Sequence, residues 1–395
     1  MSKSLRRVSA LVAAACMISP LGFAAPAVAA EGDTVTLFGI NDFHGRISSS
    51  GADLACTLET ERAEIGDTGT SFFLSAGDNI GASEFASYLS DDNPTIDYLN
   101  ALELDSSSVG NHEFDKGYDD LSGRVTDRSN YEQLGANVYK ADGTRALKPY
   151  SIEERDGVRV AVIGVVTEST KTLVSPSGIE GLEFRDQVSE VNKAVDELEA
   201  SGEQVDLVVA EYHDGSDASA DPGSAPSGDF AARIAAETDP RVDAIFNGHT
   251  HRSYDYVAPD SEGQDRPIIQ TGSYGENLAQ VTFVEGADGS YAVDPASIEL
   301  TPTGGTSEGA NCASFPRYVE ATGIVDQANA VAEQKGSEVV GEQTGDITTA
   351  WNSDKAEYVD SVWTAKPESA GESKGDDRAA SSALSNVAAQ SQVWA

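Results

Sequence analysis

The segment Thr34-Val35-Thr36-Leu37-Phe38-Gly39-Ile40-Asn41-Asp42-Phe43-His44-Gly45 passes directly from an apolar run to a group of potential metal ligands. The run Thr34–Ile40 is rich in β-branched and aromatic residues and predicts a buried strand. Asn, Asp, His and Gly follow where that strand must end. The same succession recurs along the chain. Ser71–Ala76 leads into Gly77-Asp78-Asn79, and Ser106–Val109 into Gly110-Asn111-His112-Glu113. Val205–Glu211 leads into Tyr212-His213, and Val242–Asn247 into Gly248-His249-Thr250-His251. Val158–Val166 and Ile268–Thr271 read as two further strands. Helical patterns lie between them, notably Pro94–Leu104 and Val188–Leu198, the latter with Val188, Val191, Val195 and Leu198 on one face. Alternating strands and helices predict an α/β domain over residues 33–300.

The chain has five histidines, His44, His112, His213, His249 and His251, and every one sits at such a strand end among Asp, Asn and Gly. The carboxyl ends of strands are where α/β proteins place ligands. Neighbouring glycines (Gly45, Gly77, Gly110, Gly215, Gly248) permit tight turns and close backbone approach there. On an extended chain, residues i and i+2 project to the same side. Asp42 with His44, and His249 with His251, are therefore each expected to aim two ligands into one crevice. A mixed set of imidazoles, carboxylates and an amide suits Zn²⁺, Mn²⁺, Fe²⁺ or Co²⁺ better than Ca²⁺. Singly, each element has a plainer explanation: an Asp-x-His in a loop is more often solvated, and Asp115 alone fits a helix N-terminal carboxylate. The ensemble carries the inference, because no histidine is left over.

In this order, Asp42-x-His44, Gly77-Asp78, Gly110-Asn111-His112-Glu113, His213 and Gly248-His249-x-His251 resemble the calcineurin-like metallophosphoesterases. Asn41-Asp42-Phe43-His44-Gly45 and Gly110-Asn111-His112-Glu113-Phe114-Asp115 are similar, more narrowly, to the secreted bacterial 5′-nucleotidase branch. The resemblance implies a four-layer sandwich, two mixed sheets face to face with helices outside. It implies one divalent ion on Asp42, His44, Asp78 and His251, and a second on Asp78, Asn111, His213 and His249, with Asp78 bridging. Zn²⁺ or Mn²⁺ is the expected metal, with Co²⁺ and Fe²⁺ as alternatives. Two such ions ~3.5–4 Å apart activate a water and clamp phosphoryl oxygens. His112 and Asp115 become the catalytic dyad, the carboxylate orienting the imidazole three residues earlier. The implied reaction is hydrolysis of nucleoside 5′-monophosphates, with UDP-sugars or 2′,3′-cyclic nucleotides as further candidates. Two alternatives stay open: a dinuclear hydrolase of another ester class, such as a thiosulfohydrolase-like enzyme, and a truncated inactive or non-catalytic secreted binding protein.

Composition bounds the rest. The 395 residues carry 66 Asp+Glu against 26 Lys+Arg, a formal charge of −40, which argues against nucleic-acid polymers or an anionic membrane surface as partners. A small phosphate ester remains the expected partner, since two divalent ions locally outweigh two carboxylates. Lys3, Arg6 and Arg7, the apolar stretch Ala10–Phe23 and Ala27-Val28-Ala29 predict an export leader over residues 1–29, hence a secreted or cell-envelope location. No stretch is long and apolar enough to span a membrane. Cys16 faintly resembles a lipid-attachment site. Cys56 and Cys312 are placed either to pair or to stay as buried thiols. Residues 301–337 read as a linker and connecting helix, with Val319, Ile324, Ala328 and Val331 as its apolar stripe. Residues 338–395 resemble the start of a C-terminal nucleotidase domain, cut short, through Gly341–Ile347 and Arg378-x-x-Ser381-Ser382-x-Leu384-x-Asn386. Trp351, Trp363 and Trp394 read as packing residues sooner than base stackers.

Overall fold

A computed structural model describes residues 33–66, 69–309, 311–339, 341–342, 347, 349–350, 356–359, 362–365 and 382–394. The expected leader, Trp351, the side chains of Trp363 and Trp394, and Arg378 to Ser381 lie outside the described residues. The strands of the larger unit are β1 (Thr34–Ile40), β2 (Gly69–Ser75), β3 (Ser106–Ser108), β4 (Glu132–Leu134), β5 (Val138–Lys140), β6 (Tyr150–Arg155), β7 (Val158–Val166) and β8 (Leu182–Phe184). They continue as β9 (Leu207–His213), β10 (Ala244–Asn247), β11 (Ser253–Pro259), β12 (Asp265–Thr271), β13 (Asn277–Glu285), β14 (Tyr291–Val293) and β15 (Glu299–Pro302).

Two mixed sheets result. One has the order β14-β13-β1-β2-β3-β4, with β15 also on β13; the other runs β11-β12-β10-β9-β7-β6. β1 to β4 are mutually parallel, as are β7, β9, β10 and β12. The facing surfaces share one apolar layer: Val35, Leu37, Phe72 and Leu74 from the first sheet meet Val160, Val162, Leu207, Val209, Phe246 and Ile269 from the second. Gly39 is dictated by this contact. A Cβ there would lie 2.5 Å from the Phe246 ring on the opposite sheet. Helix Gln187–Ser201 buries Val188, Val191, Val195 and Leu198 against the outer face of the second sheet, the stripe its sequence predicts. Helices Gly51–Glu64 and Asn93–Ala101 cover the outer face of the first. Burying each such apolar side chain stabilises by roughly 1.5–3 kcal/mol. The architecture is the four-layer α/β sandwich.

Helix Pro316–Gly336 docks on the same outer layer, but through Ala321, Val325 and Ala328. The expected stripe is displaced: Val319 and Val331 are exposed, while Ala328 is buried and Ile324 packs half-buried beside it. Small residues let the helix approach closely, which a reading by hydrophobicity alone misses. The Gly- and Thr-rich segment before it is held down on helix Gly51–Glu64. Asp53 accepts from Gly305 N and Ser307 N, each at 2.9 Å, and Cys312 is disulfide-bonded to Cys56 with Cα atoms 5.5 Å apart. Contacts divide the chain into two compact units, residues 1–334 and 335–395. Within the second, strands Ala356–Val359 and Val362–Ala365 form an antiparallel hairpin, and Ala383–Trp394 is helical.

The bridge joins cysteines 256 positions apart, so it constrains the unfolded chain strongly. Replacing both cysteines by serine is expected to lower the unfolding free energy by about 2–4 kcal/mol in urea titration. Bound metal should be unchanged, since the bridge touches none of the candidate ligands.

Candidate metal centre

The site forms where the carboxyl ends of β1, β2, β3, β9 and β10 converge. Asp42 and His44 follow β1, Asp78 follows β2, Asn111 and His112 follow β3, His213 closes β9, and His249 and His251 follow β10. All eight come together. Asp42, His44 and His251 offer ligand atoms within 4.8 Å of one another, as do Asp78, His213 and His249. Asn111 joins the second group, its Oδ1 3.3 Å from His213 Nε2. His44, Asp78 and His112 form an overlapping third group between them.

His249 and His251 share the crevice and enter different groups, the division that the resemblance implies; both have left-handed backbone, φ 70° and 56°. Asp42, His44 and Asp78 share that conformation, with φ 50°, 47° and 52°. Non-glycine residues in this region cost about 1–3 kcal/mol each and persist only where the surroundings enforce them. Asp and His tolerate it better than most.

Hydrogen bonds from N–H groups hold one oxygen of each carboxylate and leave the other facing an imidazole. Asp42 Oδ2 accepts from Asn41 Nδ2 (2.7 Å) and His249 N (2.8 Å), while Asp42 Oδ1 is buried with no hydrogen-bond donor. Asp78 Oδ1 accepts from His112 N at 2.7 Å, leaving Oδ2 3.1 Å from His213 Nε2. His213 Nδ1 donates to Ala76 O (2.7 Å) and His44 Nδ1 to Gly81 O (2.9 Å), so both Nε2 atoms turn inward. A buried carboxylate oxygen without a donor costs several kcal/mol unless a cation meets it. The donor set fits a divalent ion. Burial holds the His44 and His249 imidazoles below their ordinary pKa, in the neutral form that ligates. Burial acts the same way on His213, but the adjacent Asp78 overrides it and raises its pKa. A cation placed between them takes over that proton's role.

Glu113 holds the site together in a way its sequence context did not reveal. Its buried carboxylate accepts from Asp78 N (3.0 Å), Asn79 N (2.9 Å), Ile80 N (3.3 Å) and Gly110 N (2.6 Å), clasping the loop that presents Asp78. Burial and the charge of Asp78 both push its pKa up. Only a spacing-blind motif, Asn-His-Glu, hinted at it. Gly110 is equally constrained: a Cβ there would lie 2.1 Å from Asp78 Oδ1. Asn41 ties Asp42 to the end of β12 by accepting from Thr271 N (2.8 Å) and donating to Gly272 O (2.7 Å).

His112 and Asp115 stand at the solvent side. A 3₁₀ turn, His112–Phe114, brings His112 Nδ1 to 2.8 Å from Asp115 Oδ2. Burial opposes charge on this imidazole, but the Asp115 bond and the Asp78 charge prevail and push its pKa up to about 9. His112 and His251 keep 32 % and 35 % of their side chains exposed, so the cluster opens to solvent on their side.

The Calcineurin-like phosphoesterase family profile matches residues 35–253, more than half of the chain. The chain belongs to that family. Among curated proteins it is similar to the 5′-nucleotidase of Vibrio cholerae, 32% identical over 286 residues covering 68% of this chain and 51% of that protein. It is also similar to Endonuclease YhcR of Bacillus subtilis, 30% identical across 80% of this chain and 27% of that protein. The chain thus spans about half the length of these relatives or less. Among solved structures, the calcineurin-like phosphoesterase YfkN from Bacillus subtilis matches with a TM-score of 0.61 at 22% identity, over 78% of this chain and 100% of that one. A 5′-nucleotidase precursor from Thermus thermophilus matches with a TM-score of 0.60 at 21% identity, over 78% and 61%. Both share the fold.

Metal analysis after dialysis against Mn²⁺ or Zn²⁺ tests the cluster. Asp78→Ala is expected to lose both ions, and retention of two would remove Asp78 from its shared position. Ion uptake at neutral pH should release protons and weaken as pH falls, because His213 must give up its proton. Calorimetry in buffers of different ionisation enthalpy reads that release.

Proposed function

We propose that the chain is an exported, two-metal phosphoesterase that hydrolyses nucleoside 5′-monophosphates. The observation that carries this is the orphaned Asp42 Oδ1, buried beside inward-turned imidazoles and close to a second carboxylate, Asp78. Asp42, His44, Asp78 and His251 would hold one ion, and Asp78, Asn111, His213 and His249 the other. When bound, Zn²⁺ or Mn²⁺ supplies Lewis acidity toward phosphoryl oxygens and a lowered pKa for water. With water activated in that way no side-chain nucleophile is needed, and water would be the attacking partner. His112, held protonated by Asp115, donates toward the departing ester oxygen; Asp115 fixes the ring through Nδ1 and leaves Nε2 for the substrate.

The substrate class rests on the similarity to 5′-nucleotidases, and the endonuclease relative offers the rival class of polymer. The excess of 66 acids over 26 bases disfavours a polyanion, whose binding needs many neutralising cations. Export is supported by the basic-then-apolar start of the sequence and by the Cys56–Cys312 bridge, which persists in oxidising compartments. Among the described residues no helix is long and apolar enough to cross a membrane.

The metal-loaded chain is expected to release phosphate from AMP, and a chelator should abolish the reaction. Release from none of AMP, UDP-glucose or an aryl phosphate would overturn the proposal; cleavage of DNA alone would replace it. His112→Ala should keep its metal and lose turnover by ~10²–10⁴-fold. Asp115→Asn should move the alkaline limb of the kcat/KM profile to lower pH, because Asp115 raises the pKa of the acid that must stay protonated. An unmoved limb would sink the dyad.

A further inference from the structure

Arg46 is a cation with no carboxylate partner among the described residues of a strongly acidic protein. Among the described residues it makes no ion pair and its guanidinium donates no hydrogen bond, although its Nε is buried. The contrast with the other arginines is sharp. Arg62, Arg124, Arg128, Arg145, Arg155 and Arg159 each meet a carboxylate within 4.0 Å. Arg185, Arg233, Arg241 and Arg317 do the same. Arg266 instead donates to main-chain carbonyls. Besides Arg46, only the exposed Arg252, next to His251, lacks such a partner among the described arginines.

Position gives this a meaning. The Arg46 guanidinium lies over the Tyr274 ring, 4.4 Å from its centroid. The same ring stands 5.3 Å from the His251 imidazole and 5.8 Å from that of His44. Tyr274 is fixed there by left-handed backbone, φ 62°, and by donating its N–H to Asp42 O at 2.7 Å. Stacking occupies the face of a guanidinium and leaves its edge, with the N–H fork, unused. That fork matches two oxygens of one phosphate. The terminal N–H groups of the fork, which donate to nothing among the described residues, remain for an anion arriving beside the metal cluster.

We propose, resting on the phosphoesterase function above, that Arg46 is a specificity-determining residue which grips the dianionic phosphoryl group of a monoester beside the metal pair. It thereby favours phosphate monoesters, and the inorganic phosphate they release, over monoanionic diesters. Tyr274 acts as its positioning residue, holding the fork rigid.

The test uses the full Mn²⁺-loaded chain and its Arg46→Gln variant, with metal content measured in both. Inorganic phosphate binding is titrated by calorimetry, and kcat/KM is measured on an aryl phosphate and a bis-aryl phosphate. Loss of a charge-assisted fork should weaken phosphate binding ~10-fold and lower the monoester-to-diester ratio by a similar factor at unchanged metal content. Equal phosphate affinity in the two proteins would overturn the proposal, as would an unchanged ratio. If wild type hydrolyses neither ester, the phosphoesterase function fails, while the phosphate titration still decides whether Arg46 holds an anion.

Discussion

Two carboxylates, Asp42 and Asp78, are buried at the point where the ends of two sheets meet, and each is 1 % exposed or less. Water cannot neutralise them there, so the surrounding structure must. Each has one oxygen saturated by main-chain or amide N–H groups and another turned toward imidazole. The left-handed residues, the Glu113 clasp, the Asn41 tie to β12 and the bare Cα of Gly110 all serve to keep those oxygens aimed. Such strain is tolerable because the scaffold beneath is rigid. The apolar layer between the sheets ends immediately below the site at Phe246 and Ala76.

That local demand for positive charge also reconciles the chain's acidity with an anionic substrate. The surface carries the excess of carboxylates and resists polyanions through long-range repulsion, which salt screens. At the site the cations proposed to bind there would reverse that sign, with Arg46 stacked on Tyr274 beside them. Most of the described arginines are paired with neighbouring acids, whereas Arg46 stacks on Tyr274 and meets no carboxylate.

Around this centre the remaining chain is organised by contacts distant in sequence. Helix Pro316–Gly336 returns to the outer layer above the first sheet, and the disulfide and the Asp53 hydrogen bonds fasten the segment that precedes it. The catalytic scaffold therefore includes residues whose composition, rich in Gly, Thr and Ser, suggested a connection and nothing more.

Much of the fold and nearly all of the site's membership were legible in the sequence. Strands announce themselves through apolar runs, and Asp, Asn, His and Gly at their ends are local signals that need no partner. Hence Asp42, His44, Asp78, Asn111, His112, Asp115, His213, His249 and His251 could be singled out from the chain alone. The face of helix Pro316–Gly336 could not, because small residues pack by fit and carry little hydrophobic signal. Nor could the hydrogen bonds by which Glu113 and Asn41 hold the site, or the stacking of Arg46 on Tyr274, which join residues far apart in sequence. Sequence by itself singled out the residues that gather at the candidate site, since residue type and strand periodicity are properties of short segments. Tertiary structure alone decided which imidazole faces which carboxylate, which cysteines meet and which arginine stays unpaired, because those contacts join residues up to 256 positions apart.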